Sequence, residues 1–129
     1  MNGRFLLDTN IIIALFANDI SVREQLKKAE EVFVPSIAIG ELYYGALKSS
    51  KVEGNILRIE DFVKSNVILS CDNETAREYG EIKNFLKRKG KPIPENDIWI
   101  AAISKQHLLI LVSRDEHFNE INNLIIQIW

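Results

Sequence analysis

The sequence predicts an α/β domain built on a parallel sheet that helices cover on both faces. Short apolar runs alternate along the chain with longer amphipathic segments, which is the rhythm of strands joined by helices. The apolar runs are continuous and do not alternate with polar residues, as expected of strands buried on both sides. The chain has 129 residues, with only 6 Gly and 3 Pro, and contains no internal repeat or linker-like stretch. Residues 1–129 therefore read as one domain. With 47% hydrophobic residues it can bury a core without staples.

Each element follows from local signals. Residues 4–7 read as a buried strand, and residues 10–17, almost all apolar, as a helix. Residues 22–31 are charged and helix-prone. Residues 32–34 form a second strand, ended by Pro35 because proline cannot donate to the ladder. Residues 36–48 read as a helix with Ser36 as its N-cap. Residues 51–64 carry helical periodicity through Ile56, Ile59, Phe62 and Val63. Residues 67–69 make a third strand. Asp72 can cap a helix that runs to about Lys89 and is closed by Gly90. After a turn at 91–94, Asn96 can cap a nearly all-apolar helix over 98–103. Residues 108–112 form a fourth strand and 124–128 a fifth.

Charge narrows the function. The net charge is −2 and the isoelectric point about 5.7, whereas a protein that holds nucleic acid by charge alone is basic. Any nucleic-acid activity must then rely on local basic clusters, on a cation that offsets acids, or on both. The lone cysteine, Cys71, excludes an intramolecular disulfide and reads as a small packing residue. A reducing compartment fits that composition. With no secretory n-region at the start and no apolar stretch of membrane-spanning length, the expected location is the cytoplasm, away from membranes.

In parallel sheets, sites lie beyond the carboxyl ends of the strands. Asp8 directly follows the first strand, and Asp115 follows the fourth after Ser113 and Arg114, so both should project from one rim. Asp97 opens the apolar helix, and Glu41 is the only charge in residues 36–47. Each acid also has a purely structural reading. Asp8 can cap the next helix, Asp97 can favour its helix N-terminus, and Asp115 can favour a turn in which Ser113 and Glu116 have capping-box spacing. Glu41 can pair with Lys48.

Taken together the four point to a cation. Packed carboxylates repel and take up protons unless a divalent ion lies among them. Oxygen ligands suit Mg²⁺ or Mn²⁺, and no Cys/His set has zinc spacing. Such an ion would polarise a phosphodiester, lower the pKa of an attacking water and stabilise the leaving oxygen. His107 and His117 are isolated in sequence and read as surface or hydrogen-bonded residues, not ligands.

Four segments then carry a resemblance: Leu6-Leu7-Asp8-Thr9-Asn10, Pro35-Ser36-Ile37 leading to Glu41-Leu42, Asn96-Asp97-Ile98-Trp99-Ile100-Ala101-Ala102, and Ser113-Arg114-Asp115-Glu116-His117-Phe118. Their order over residues 5–118 resembles the PIN-domain family, and within it the VapC-like toxins of type II toxin–antitoxin pairs. The resemblance implies a three-layer α/β/α fold with a parallel sheet of about five strands. It also implies Mg²⁺- or Mn²⁺-dependent endoribonuclease activity. Asp8, Glu41 and Asp97 match the family's three main acids and Asp115 the fourth. Thr9 or Asn10, and Ser113 where Thr is more usual, match polar residues near the metal. A homodimer and a small antitoxin that covers the site are further expectations, with RNA as substrate.

Lys87, Arg88, Lys89 and Lys91 form a basic cluster that either grips RNA phosphates or merely favours a helix end. Tyr43, Tyr44 and Trp99 either stack bases or belong to core and dimer contacts. Three other readings compete. A phospho-receiver domain would use Asp72 as acceptor, but it needs a second acid beside Asp8 and a Lys in 124–129. A haloacid-dehalogenase-like phosphatase needs an Asp where Asn10 stands. A catalytically inactive RNA-binding PIN domain is the third.

Overall fold

The computed structural model describes residues 3–129. In order, the elements are β1 (Arg4–Leu7), α1 (Thr9–Phe16), α2 (Ile20–Lys28), β2 (Glu31–Pro35), α3 (Ser36–Leu47), α4 (Val52–Lys64), β3 (Val67–Leu69), α5 (Asn73–Lys89), α6 (Glu95–Gln106), β4 (Ile110–Val112), a 3₁₀ turn (Glu116–Glu120) and β5 (Ile126–Gln127). The five strands are all parallel, in the order β3-β2-β1-β4-β5. The chain winds outward from β1 to β3 on one side, then crosses to β4 on the other. Beyond the carboxyl ends of β1 and β4 the connections diverge, and this opens a crevice there.

Strand geometry explains the continuous apolar runs. Successive side chains face opposite sides, so Phe5 and Leu7 pack among α1–α4 while Leu6 packs against α5 and α6. Both sides being covered, the expected three layers are present. Each fully buried Leu or Ile in them contributes about 1.5–3 kcal/mol. Helix α6 is the most enclosed. Ile98, Ile100, Ala101, Ala102, Ile103 and Ser104 are buried, and its two acids, Glu95 and Asp97, both lie in its first turn.

Helix α5 begins and ends as the sequence indicates: Asp72 and Thr75 form a reciprocal capping box, and Gly90 closes the helix at φ 74°. Other boundaries differ. Ser36 is not the cap of α3. Strand β2 runs straight into the helix, Pro35 takes the cap position without a side-chain bond, and Ser36 is the first helical residue. Asn96 is likewise inside α6, because Pro94, whose ring presets a helical φ (−56°), precedes a start at Glu95. The second helix covers Ile20–Lys28 and not 22–31, since Asp19 caps it through the Val22 amide and Glu31 already belongs to β2. Helix α1 starts at Thr9, with Asp8 as its cap. Strand β4 begins only at Ile110, because Leu108 has a positive φ of 54°, and β5 shrinks to two residues. Cys71 is exposed and does not pack in the core. Among the described residues, no helix is long and apolar enough to cross a membrane.

Candidate active site

Strand pairing sets the first contact. Leu7 is in register with Val112, so the residues that follow them, Asp8 and Ser113, emerge side by side. The Asp8 amide donates to the Val112 carbonyl at 3.0 Å. Asp8 is 4% exposed, and its carboxylate accepts three hydrogen bonds. Oδ2 accepts the Ser113 hydroxyl at 2.7 Å and the Asn10 amide at 3.3 Å, and Oδ1 accepts the Thr9 backbone N–H at 2.8 Å. Burial still holds its pKa above the ordinary carboxylate value. The bonds from Ser113 and Thr9 oppose that rise, and the charges of Glu41 and Asp115 add to it.

Asp97 comes from the first turn of α6 and Asp115 from the loop after β4. Burial, followed by the charges of Asp8 and Asp115, pushes the Asp97 pKa up to about 6. Asp115 is positioned by its own amide, which donates to Ser113 Oγ at 3.0 Å, while its Oδ1 accepts the His117 amide at 2.9 Å. The expected Ser113–Glu116 capping box is thus replaced by a cap from Asp115 itself. Glu41, on α3, accepts the Thr9 hydroxyl at 2.6 Å. It does not pair with Lys48, whose ammonium lies 4.5 Å from the centre of the Tyr44 ring. Asp8, Asp97 and Asp115 thus share one electrostatic pocket, and Glu41 joins it through Thr9.

Two open clefts flank the acids. One, of about 600 Å³, is lined by Lys91, Arg114, Asp115 and His117. The other, of about 770 Å³, is lined by Thr9, Glu41, Tyr44, Lys48 and Asn96. The donor set fits a hard divalent ion: carboxylate oxygens from four segments, with Asp8 and Asp97 raised in pKa first by burial and then by neighbouring carboxylate charge, a repulsion that a cation removes.

The PIN domain matches residues 5–124 of this chain. The chain belongs to the PIN-domain family. It is 41% identical over 114 residues to Ribonuclease VapC2 of Haemophilus influenzae, covering 87% of this chain and 86% of that one. It is 34% identical to the tRNA(fMet)-specific endonuclease VapC of Shigella flexneri over 98% of each chain. Among solved structures, DNA-bound VapBC from Salmonella typhimurium superposes with a TM-score of 0.91 at 31% identity, covering 100% of this chain and 99% of that one. The chain is thus a PIN protein of the VapC ribonuclease group.

The PIN reading settles some open assignments and leaves others. Asp72 is a helix cap, held by the Thr75 amide and by Gln106, so it has no free acceptor role of the receiver type. Trp99 stacks on Tyr79 with ring centres 4.0 Å apart, a contact between α6 and α5, and Tyr43 packs against the core. Tyr44 alone of the three is largely exposed. Of the basic cluster, Lys91 reaches the cleft beside Asp115, whereas Lys89 is bound to Glu120 at 3.1 Å and Lys87 and Arg88 are exposed on the last turn of α5.

Two residues of this PIN site escaped the sequence reading. His117 Nδ1 lies 3.0 Å from Asp115 Oδ1 and 3.3 Å from Asp97 Oδ2, so it faces the acids and is not merely a surface residue. The Asp-x-His spacing was the available signal. Arg114 bonds the Trp129 carbonyl at 2.8 Å and Asp19 at 3.0 Å, bracing the loop between Ser113 and Asp115. No local pattern announces it, because its partners lie 15 and 95 residues away.

Proposed function

We propose that this chain is a Mg²⁺- or Mn²⁺-dependent endoribonuclease and the toxin of a type II toxin–antitoxin pair. The observation that carries the metal dependence is the convergence of Asp97 and Asp115, which offer ligand atoms within 4.8 Å of each other, in a pocket where burial and neighbouring carboxylates also raise the Asp97 pKa. A divalent ion relieves that arrangement: His117 lowers the Asp97 pKa without offsetting burial and the two acids, and the Arg114 guanidinium is turned to Asp19 and the Trp129 carbonyl.

Asp8, Asp97 and Asp115 would hold the ion, with Glu41 completing the negative cradle. When bound, the ion supplies Lewis acidity to a scissile phosphodiester and acidifies an attacking water. The chain's own residues do the rest. Ser113 and Asn10 fix the Asp8 carboxylate, Thr9 fixes Glu41, and the Asp115 cap sets its loop. Lys91 would meet an RNA phosphate entering the first cleft, and Tyr44 and Lys48 line the second. No protein nucleophile is required.

VapBC structures among the relatives motivate the partner: a small antitoxin that covers this crevice, on a toxin homodimer in the cytoplasm. The test uses the purified chain and a mixed RNA pool. Cleavage in Mn²⁺ or Mg²⁺ that stops with EDTA and with Asp8→Ala or Asp97→Ala supports the reading. Cleavage that persists undiminished in both alanine variants overturns it.

A further inference from the structure

We propose that His117 supplies a nitrogen ligand to the divalent ion shared by Asp97 and Asp115, and that this biases the site towards Mn²⁺ over Mg²⁺. The inference rests on the metal-dependent reading above.

The placement begins with local structure. Asp115 caps a tight 3₁₀ turn, and its Oδ1 accepts the backbone N–H of His117. That bond folds the imidazole back over the acid two residues before it. Asp97 arrives independently, from the first turn of α6. One ligand atom from each of the three residues lies within 4.8 Å of the others. Neighbouring ligands around a six-coordinate ion with bonds of about 2.1 Å lie ~3.0 Å apart. The observed Nδ1–carboxylate separations are 3.0 Å and 3.3 Å.

A hydrogen bond alone accounts for this less well. Nδ1 carries at most one N–H, yet two carboxylates of separate elements face it. The His117 side chain is 53% exposed, so it has room to turn its lone pair to an ion. Arg114 does not compete for the acids, since its guanidinium is held by Asp19 and Trp129. Ligand chemistry then sets the preference. Mg²⁺ favours oxygen donors and keeps its water, whereas imidazole suits transition ions.

The experiment is pulsed electron paramagnetic resonance of Mn²⁺ added to the purified full chain. The expected result is ¹⁴N modulation from a coordinated imidazole. It should vanish in His117→Gln and persist in His107→Gln, the other of the two histidines in the chain. Calorimetry should show Mn²⁺ affinity falling on the order of 10-fold in His117→Gln, with Mg²⁺ affinity changing less than about 2-fold. An unchanged melting curve for the variant without metal separates this from misfolding. Bound Mn²⁺ with no ¹⁴N modulation, or modulation that survives His117→Gln, overturns the proposal and leaves the metal-dependent nuclease intact. If no Mn²⁺ binds at all, both readings fall.

Discussion

The Ser113 hydroxyl donates to Asp8 Oδ2 at 2.7 Å, joining two residues 105 apart in sequence at the adjacent ends of β4 and β1. Ser113 Oγ also accepts the Asp115 amide, so one buried hydroxyl orients two acids.

Removing that hydroxyl should weaken the site more than the fold. Ser113→Ala is expected to destabilise the chain by about 1–2 kcal/mol, the cost of an unmet buried bond. It should also raise the Asp8 pKa further, because the Ser113 bond opposes the effect of burial. Metal binding would then need higher pH, since the acid must be deprotonated. Ser113→Thr should keep both properties. Urea denaturation and Mn²⁺ titration at several pH values check this; an unshifted binding midpoint in Ser113→Ala refutes it.

Asp97 makes the metal-free chain sensitive to pH. Its folded pKa, about 6, lies above its ordinary 3.8, so between those values the folded chain holds a proton that the unfolded chain has released. From this group, stability increases as pH falls from 7 through 6 towards 4. Asp97→Asn should flatten that slope and stabilise the metal-free chain at pH 7 by on the order of 1 kcal/mol, while abolishing cleavage. Denaturation in EDTA at pH 7.5 and 5.5 measures it. A slope equal to that of the parent removes the argument.

Arg114 braces the loop that carries Asp115 from outside. Arg114→Ala should release the loop over 113–118 from Trp129 and Asp19, speeding amide exchange there by about 10-fold. Asp19→Asn should give a smaller effect, since the Trp129 contact remains. Hydrogen-exchange mass spectrometry reads this directly. Equal protection in parent and Arg114→Ala would show that the brace does not matter.

The basic residues should not be equivalent. Lys91→Glu is expected to raise KM for RNA about 5- to 10-fold with a shallower salt dependence, because Lys91 lines the cleft beside Asp115. Lys89→Ala should act mainly through its lost contacts with Glu120, leaving KM nearly unchanged. KM measured at two salt concentrations separates the two, and identical effects would remove Lys91 from the RNA path.

By itself the sequence determined the layers and singled out four acids as candidates. Short continuous apolar runs between helical segments fit strands buried on both faces, and a charge inside an apolar segment stands out, as Glu41 does in α3 and Asp97 at the head of α6. It also determined α5, where Asp72 and Gly90 act within a few residues of the backbone they cap. Tertiary structure decided what depends on distant pairing. Whether Glu41 meets Lys48 or Thr9 follows from how α3 packs beside α1, and whether Ser113 serves a turn or Asp8 follows from the register of β1 and β4. His117 turns towards Asp97 only because α6 delivers that acid to the 3₁₀ turn. Local signals reach about one helical turn along the chain, whereas these contacts span 20 to 105 residues, over which only the packed core fixes positions.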